Sequence, residues 1–176
     1  MAGQINLTTG KRAERKLLIT VAEWTEGSTQ VREILGTRTE DSSIEYNSET
    51  ETTTDIRGFN YTDVNRTQPQ QDFDPFLILG GSKLGALLND IRRRNALAEL
   101  SQFTIYVITA FIGTEGAYEA EKHTDCTIVY NSIGGDTNVN FPISVYFSNK
   151  ITLGTVDKLS DDFVFTATST SEFTGD

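Results

Sequence analysis

Residues 101–113 read SQFTIYVITAFIG, and this stretch decides the fold class. Successive side chains of a strand point to opposite faces, and here both parities are apolar. Phe103, Ile105 and Val107 fall on one parity, and Tyr106, Ile108 and Ala110 on the other. That pattern predicts a strand covered on both faces. Gly113 and Gly116 close it, and AYEAEKHTDCTIVYN follows as its partner. SIGGD at 132–136 is a turn signal. VNFPISVYFS then sets Phe141, Ile143, Val145 and Phe147 against Pro142, Ser144, Tyr146 and Ser148. DDFVFTAT contributes Phe163 and Phe165, and a Ser/Thr-rich tail is expected to fray from 169 to 176. Upstream, LLITVAEW at 17–24 forms a first strand, Gly27 and Ser28 turn the chain, and 30–39 forms a second.

One segment has helical spacing. In GGSKLGALLNDIRRRNALAEL, Ser82 is the N-cap, and Leu84, Leu87, Leu88 and Ile91, with Asn95 beyond them, recur on one face. The predicted helix covers 82–97 and is slightly weakened by Gly85. Ten Phe and six Tyr reinforce the β reading. At 176 residues the chain is expected to be one domain, an antiparallel β-sandwich or barrel with a single flanking helix.

Two stretches fit this scheme less easily. Residues 40–58, EDSSIEYNSETETTTDIRG, alternate like strands but carry acids at matching intervals. In the first arm, Ile44 and Tyr46 oppose Asp41, Ser43 and Glu45. In the second, Thr50, Thr52, Thr54 and Ile56 oppose Glu49, Glu51, Thr53 and Asp55. Parity thus predicts one acidic face carrying Glu45, Glu49, Glu51 and Asp55, with Ile44 and Tyr46 turned towards the core. Residues 59–79 read as a long loop, because Pro69 and Pro75 argue against a central strand. Its Phe59, Tyr61, Phe73 and Phe76 are too many aromatics for a free linker, so the loop is expected to dock on something.

Charge is segregated along the chain. The total is −10. Residues 1–16 hold four bases against Glu14 and read as a mobile polar arm. Residues 23–74 hold twelve acids against four bases, a balance of −8. The overall sign disfavours tight sequence-independent binding of nucleic acid, which requires phosphates to be neutralised. Arg92, Arg93 and Arg94 are consecutive on a helix and sweep roughly 200° around it, so they cannot share one phosphate-binding face.

Little catalytic chemistry is available. The chain has one His and one Cys, His123 and Cys126, whose separation of three places them on opposite faces of an extended strand. Both read as structural, and no shared metal is expected. LGGSKLG lacks the spacing of a phosphate loop, and no calcium-loop pattern is present. No cofactor, metal or catalytic residue is expected. A lone cysteine suits a reducing compartment. The opening residues lack the form of a secretory signal, and no apolar run reaches the roughly twenty residues of a membrane span. A cytoplasmic start is the expectation, with no membrane contact.

Three stretches resemble one family. TTTDIRGFNYTDVNRTQPQQDFDPF, LGGSKLGALLNDIRRRNALAELSQFTIYVITAFIG and EAEKHTDCTIVYNSIGGDTNVNFPISVYFSNKITLGTV are similar to the major tail protein, or tail tube protein, of long-tailed bacteriophages and prophages of Gram-positive hosts. The resemblance covers about residues 15–168. It implies a β-sandwich with a flanking helix that forms homohexameric rings, stacked into a tube that conducts DNA from capsid to host. It also implies assembly in the host cytoplasm, residence in the virion tail, and contact with tape-measure, distal-tail and terminator proteins. A long loop and the terminal arm commonly reach the adjacent ring. On this view Glu45, Glu49, Glu51 and Asp55 line the lumen, where carboxylates repel passing phosphate. Phe59, Tyr61, Phe73, Phe76, Arg92, Arg93 and Arg94 are then the inter-subunit candidates. Two other readings stay open: an exposed acidic hairpin with no such task, and a monomeric adhesion or carbohydrate-binding β-sandwich.

Overall fold

In the computed structural model, residues 5–172 are described, with side chains to 168. The stretch at 101–113 becomes β7 (Phe103–Thr114), one of the two strands on which the sheet is built. The strands preceding it are β1 (Leu18–Glu26), β2 (Thr29–Ile34), β3 (Ile44–Glu45), β4 (Glu49–Thr54), β5 (Asn60–Arg66) and β6 (Gln70–Phe73). The helix α1 (Lys83–Arg94) comes next. After β7 come β8 (Ala117–Tyr130), β9 (Ile143–Tyr146), β10 (Lys150–Val156) and β11 (Phe165–Glu172). Nine strands form one antiparallel sheet in the order β2-β1-β7-β8-β9-β6-β3, with β10 and β11 branching from β8. The first half of β8 pairs with β10 and its second half with β9. This split folds the sheet over itself into a sandwich.

Both faces of β1 and β7 are covered, as the two apolar parities predicted. On one face, Ala22, Trp24, Phe103 and Ile105 meet Phe73, Ile143 and Val145 of the opposing strands and Leu84, Leu88 and Ile91 of α1. On the other, Val21, Tyr106 and Ile108 meet Ala120, Val156 and Phe163. The layers are also tied by buried hydrogen bonds. Thr20 Oγ1 donates to Gln71 Oε1 at 2.8 Å, and Gln71 Nε2 donates to Ser42 Oγ at 3.1 Å. Such pairing is what makes buried polar groups tolerable.

The helix begins where its sequence says it should: Ser82 Oγ accepts from Gly85 N at 3.1 Å. It ends at Arg94 rather than 97. Asn95 is the C-cap in the left-handed conformation, and residues 97–101 form a separate 3-10 turn. A second cap comes from β2, where Glu33 Oε2 accepts from Lys83 N and Leu84 N at 2.6 and 2.9 Å, and Oε1 from the Ser82 hydroxyl. A carboxylate there satisfies orphan N–H groups and complements the helix dipole.

Several expectations are corrected. Residues 59–79 are not an unstructured loop: they contain β5 and β6, and β6 lies between β9 and β3. Pro69 and Pro75 flank β6 rather than interrupt it. Phe73 and Phe76 are 1% and 7% exposed and belong to the subunit's own core, so they are not docking residues. The second strand stops at Ile34, and β11 extends through Glu172; residues 173–176 of the expected tail lie outside the described range. Within the expected arm, Ile5 and Asn6 are anchored: Ile5 bridges Ile112, and the Asn6 amide donates to Ala110 and Gly113 carbonyls. Residues 1–4 lie outside the described range.

His123 and Cys126 do not face opposite ways. Asp125 adopts φ 58, and the β7–β8 register shifts so that Ile105 opposes His123 while Phe103 opposes Cys126. The extra residue is a bulge, which returns both side chains to one face, where both are buried. Gly113 marks a second irregularity, with φ 97 and no room for a Cβ, which would lie 2.3 Å from the Ala117 carbonyl.

Candidate functional site

The most unusual element is the β4–β5 hairpin. Its two strands pair only with one another, outside the main sheet. Every residue of both strands is exposed. The hairpin continues the β3–β6 ladder past a break at Asn47, where φ is 44 and the side-chain amide donates to the Gln68 carbonyl. It therefore projects as an arm, roughly 20 Å long at about 3.3 Å per residue.

The register gives the arm two different faces. Thr50, Thr52 and Thr54 oppose Val64, Thr62 and Asn60, an uncharged face laced by the Thr52–Thr62 and Thr54–Asn60 side-chain hydrogen bonds. On the other, Glu51 opposes Asp63 and Thr53 opposes Tyr61, while Glu49 pairs with Arg66. Like charges directly across a strand pair are unfavourable. The Glu51–Asp63 pair stands in open solvent, eased by Asn65 donating to Glu51.

At the tip, Asp55 organises the turn. Its carboxylate accepts from Arg57 N at 2.8 Å, Phe59 N at 3.0 Å and the Tyr61 hydroxyl at 3.3 Å. The hydrogen bond from Phe59 N is the largest influence holding the Asp55 carboxyl below its ordinary range. Around this turn the chain exposes Ile56 at 106%, Phe59 at 55% and Tyr61 at 54%, and Val64, nearer the root of the arm, is 62% exposed. A lone two-stranded hairpin is marginal in water, and clustered exposed apolar residues mark interaction surfaces.

The four acids expected on one face are separated by this geometry. Glu45 lies on β3, hydrogen-bonded to β6; Glu49 and Glu51 lie on the arm; Asp55 is a turn residue. Parity orders the acids only within each arm, because the break at Asn47 separates β3 from β4 and Asp55 lies in the turn. Tyr46 is exposed, not turned to the core. The aromatics 59–79 divide: Phe59 and Tyr61 sit on the arm, while Phe73 and Phe76 are internal. The arginines divide as well. Arg94 is held within the subunit by Asp90 at 2.7 Å and Glu99 at 2.9 Å, and Arg92 bonds Asn89. Arg93 is exposed.

At the end of the β3–β6 ladder away from the arm, beside Ser42 and Phe73, lies a cleft of about 360 Å³. Leu18, Ile19, Ile34 and Leu35 are among its apolar lining, with Arg15, Lys16 and Glu40 around them. Arg15 clamps this region, donating to the carbonyls of Ser42 at 2.7 Å and Leu18 at 2.5 Å. Further along β1, a buried Glu23 pairs with Arg32 at 2.5 Å. Arg32 also covers the Phe163 ring at 4.3 Å and donates to the Phe163 carbonyl at 2.6 Å, fastening the 157–164 strap. Sequence reading missed the Glu23–Arg32 pair and the Glu33 cap. The former is signalled only by the register of a hairpin, and the latter joins residues 50 apart.

Among the described residues no group of three or more His, Cys, Asp or Glu is placed to hold a metal, and no helix is long and apolar enough to cross a membrane. No family model matches the chain, and no curated protein matches it. Solved structures do. The chain is similar to the tube terminating cap of the anti-feeding prophage, with 12% identity over 85% of this chain and 95% of that one, at a TM-score of 0.48. It is similar to a chain of the sheath–tube complex of an extracellular contractile injection system, with 13% identity over 84% and 95%, at 0.45. The anti-feeding prophage baseplate contains a third similar chain, with 10% identity over 84% and 97%, at 0.41.

Proposed function

We propose that this chain is a structural subunit of a phage-type tail tube, acting by assembly rather than by catalysis. It stacks as homohexameric rings around a channel through which DNA passes, and it meets the other tail proteins at the tube's ends and in its lumen. The observation that carries this reading is the β4–β5 arm: a hairpin detached from the main sheet, wholly exposed, with Ile56, Phe59, Tyr61 and Val64 uncovered by their own chain. Burial of such residues against neighbouring subunits removes apolar surface from water at about 25 cal/mol per Å².

Two further features support it. β2, β3 and β11 each have a single strand neighbour among the described residues, so three sheet edges are open. Open edges invite pairing with another chain, and closure of a ring satisfies them. The net charge of −10 suits a channel that passes a polyanion without retaining it. The sequence resemblance over 15–168 points the same way.

Size-exclusion chromatography and negative-stain microscopy of the purified full chain test this. Rings or tubes that grow with protein concentration are expected. A monomer at every concentration and ionic strength overturns the reading and favours a solitary β-sandwich binding module.

A further inference from the structure

We infer that the Glu23–Arg32 pair, with the 157–164 strap fastened to it, guards the open edge of β2 and keeps free subunits from pairing there indiscriminately. The guard belongs to the free chain and is independent of what that chain assembles into.

β2 has the makings of a template for another strand. It is six residues long, and β1 is its one strand neighbour among the described residues. The hydrogen bond from Leu35 N to the Thr20 carbonyl, at 2.8 Å, sets the phase of the β1–β2 ladder. Thr29, Val31 and Glu33 therefore turn their backbone groups towards β1, while Gln30, Arg32 and Ile34 turn theirs outward. No backbone segment among the described residues pairs with these three. A row of unpaired rungs on a sheet edge invites a strand from another chain.

The charges on this edge turn inward rather than out. Arg32 sits at the middle outward rung, yet its side chain is only 19% exposed. It lies over the Phe163 ring of the second core, with Nε 2.5 Å from Glu23 Oε2. Glu33, its neighbour, turns to the other face and caps α1. Two consecutive residues thus place a charge beneath each face of the sheet at its rim, and inward-pointing charges are a known protection of edges. A strand added here would lay a side chain over the Arg32 guanidinium and strip its remaining water, a cost that an apolar neighbour does not offset.

The strap adds a second obstacle. Arg32 Nη1 donates to the Phe163 carbonyl at 2.6 Å, and Asp161 and Asp162 of the same strap stand beside the edge. There they line, with Glu26, Thr29 and Gln30, a cleft of about 620 Å³. For stability alone a buried ion pair is a poor choice, because desolvation offsets much of its attraction and apolar residues of similar volume pack as well. Such residues would leave the edge unguarded.

The test compares full-length variants with the wild type at one concentration, by thioflavin fluorescence and by the protein lost to the pellet. Glu23→Gln with Arg32→Met removes both charges, leaves the net charge at −10 and keeps an acceptor for the Tyr106 hydroxyl. Association is expected to rise about tenfold or more. Adding Gln30→Pro to this double variant is expected to return association to the wild-type level. Proline there removes one outward N–H and none that β1 uses. Association through the other open edges is common to every variant and cancels in the comparison. A double variant as soluble as the wild type overturns the proposal. So does a double variant that associates and is not rescued by Gln30→Pro, because association caused by lost stability does not depend on an outward N–H.

Discussion

β5 and β7 are both antiparallel strands, yet they could hardly differ more in what holds them. β7 is flanked by β1 and β8, and its alternate side chains enter two separate cores. β5 has one neighbour, β4, and none of its seven residues is shielded. The same local geometry is thus held in one case by the subunit and in the other by hydrogen bonds alone. The contrast teaches where the molecule ends as a folding unit. The sandwich buries its two cores without company, whereas the arm has surface to bury and nothing of its own to bury it against.

The sharpest way to break this contrast is to truncate an aromatic in each region. Phe73→Ala, in the core, is expected to cost about 3–5 kcal/mol of subunit stability in urea unfolding. Phe59→Ala, on the arm, is expected to change it by less than about 0.5 kcal/mol. Comparable losses would mean that the arm is part of the cooperative unit after all. Leu88→Ala, which opens a cavity between α1 and the sheet, should cost about 2–5 kcal/mol by the same measurement.

A smaller effect is expected from Glu33→Ala. Losing the carboxylate on three donors at the start of α1 should cost about 1–2 kcal/mol, while Glu33→Gln, which keeps an acceptor, should cost less. Thermal melts of both variants decide whether the cap or mere packing matters.

The last effect is confined to alkaline pH. Burial, reinforced by the Glu23 carboxylate, pushes the Tyr106 hydroxyl up to about 12. Tyrosine in an unfolded chain ionises near about 10, so stability present below that value is lost as pH rises towards about 12. Tyr106→Phe should flatten this part of the stability–pH curve; an unchanged slope would place the loss elsewhere.

The elements that sequence reading found share one property: their signal is local. β1, β7, β8 and α1 carry their apolar periodicity in a single window, and Ser82 sits at its own helix start. What it missed depends on partners distant in the chain. β6 is four residues between two prolines and is a strand only because β9 and β3 flank it. The acids of 40–58 share a parity within each arm, but the break at Asn47 separates the arms, and β4 pairs with 60–66. Phe73 and Phe59 look alike in sequence and differ because the Asn47 break separates the buried ladder from the projecting one. The bulge at Asp125 likewise defeats a parity argument that is sound for an unbroken strand.

The central claim, that the arm is completed by neighbouring subunits, is tested most directly by amide hydrogen exchange on the same protein before and after assembly. The amides of β4 and β5 are expected to exchange quickly in the isolated subunit and slowly in the polymer, while those of β7 are protected in both. Equal protection of β4 and β5 in the two states would contradict the account.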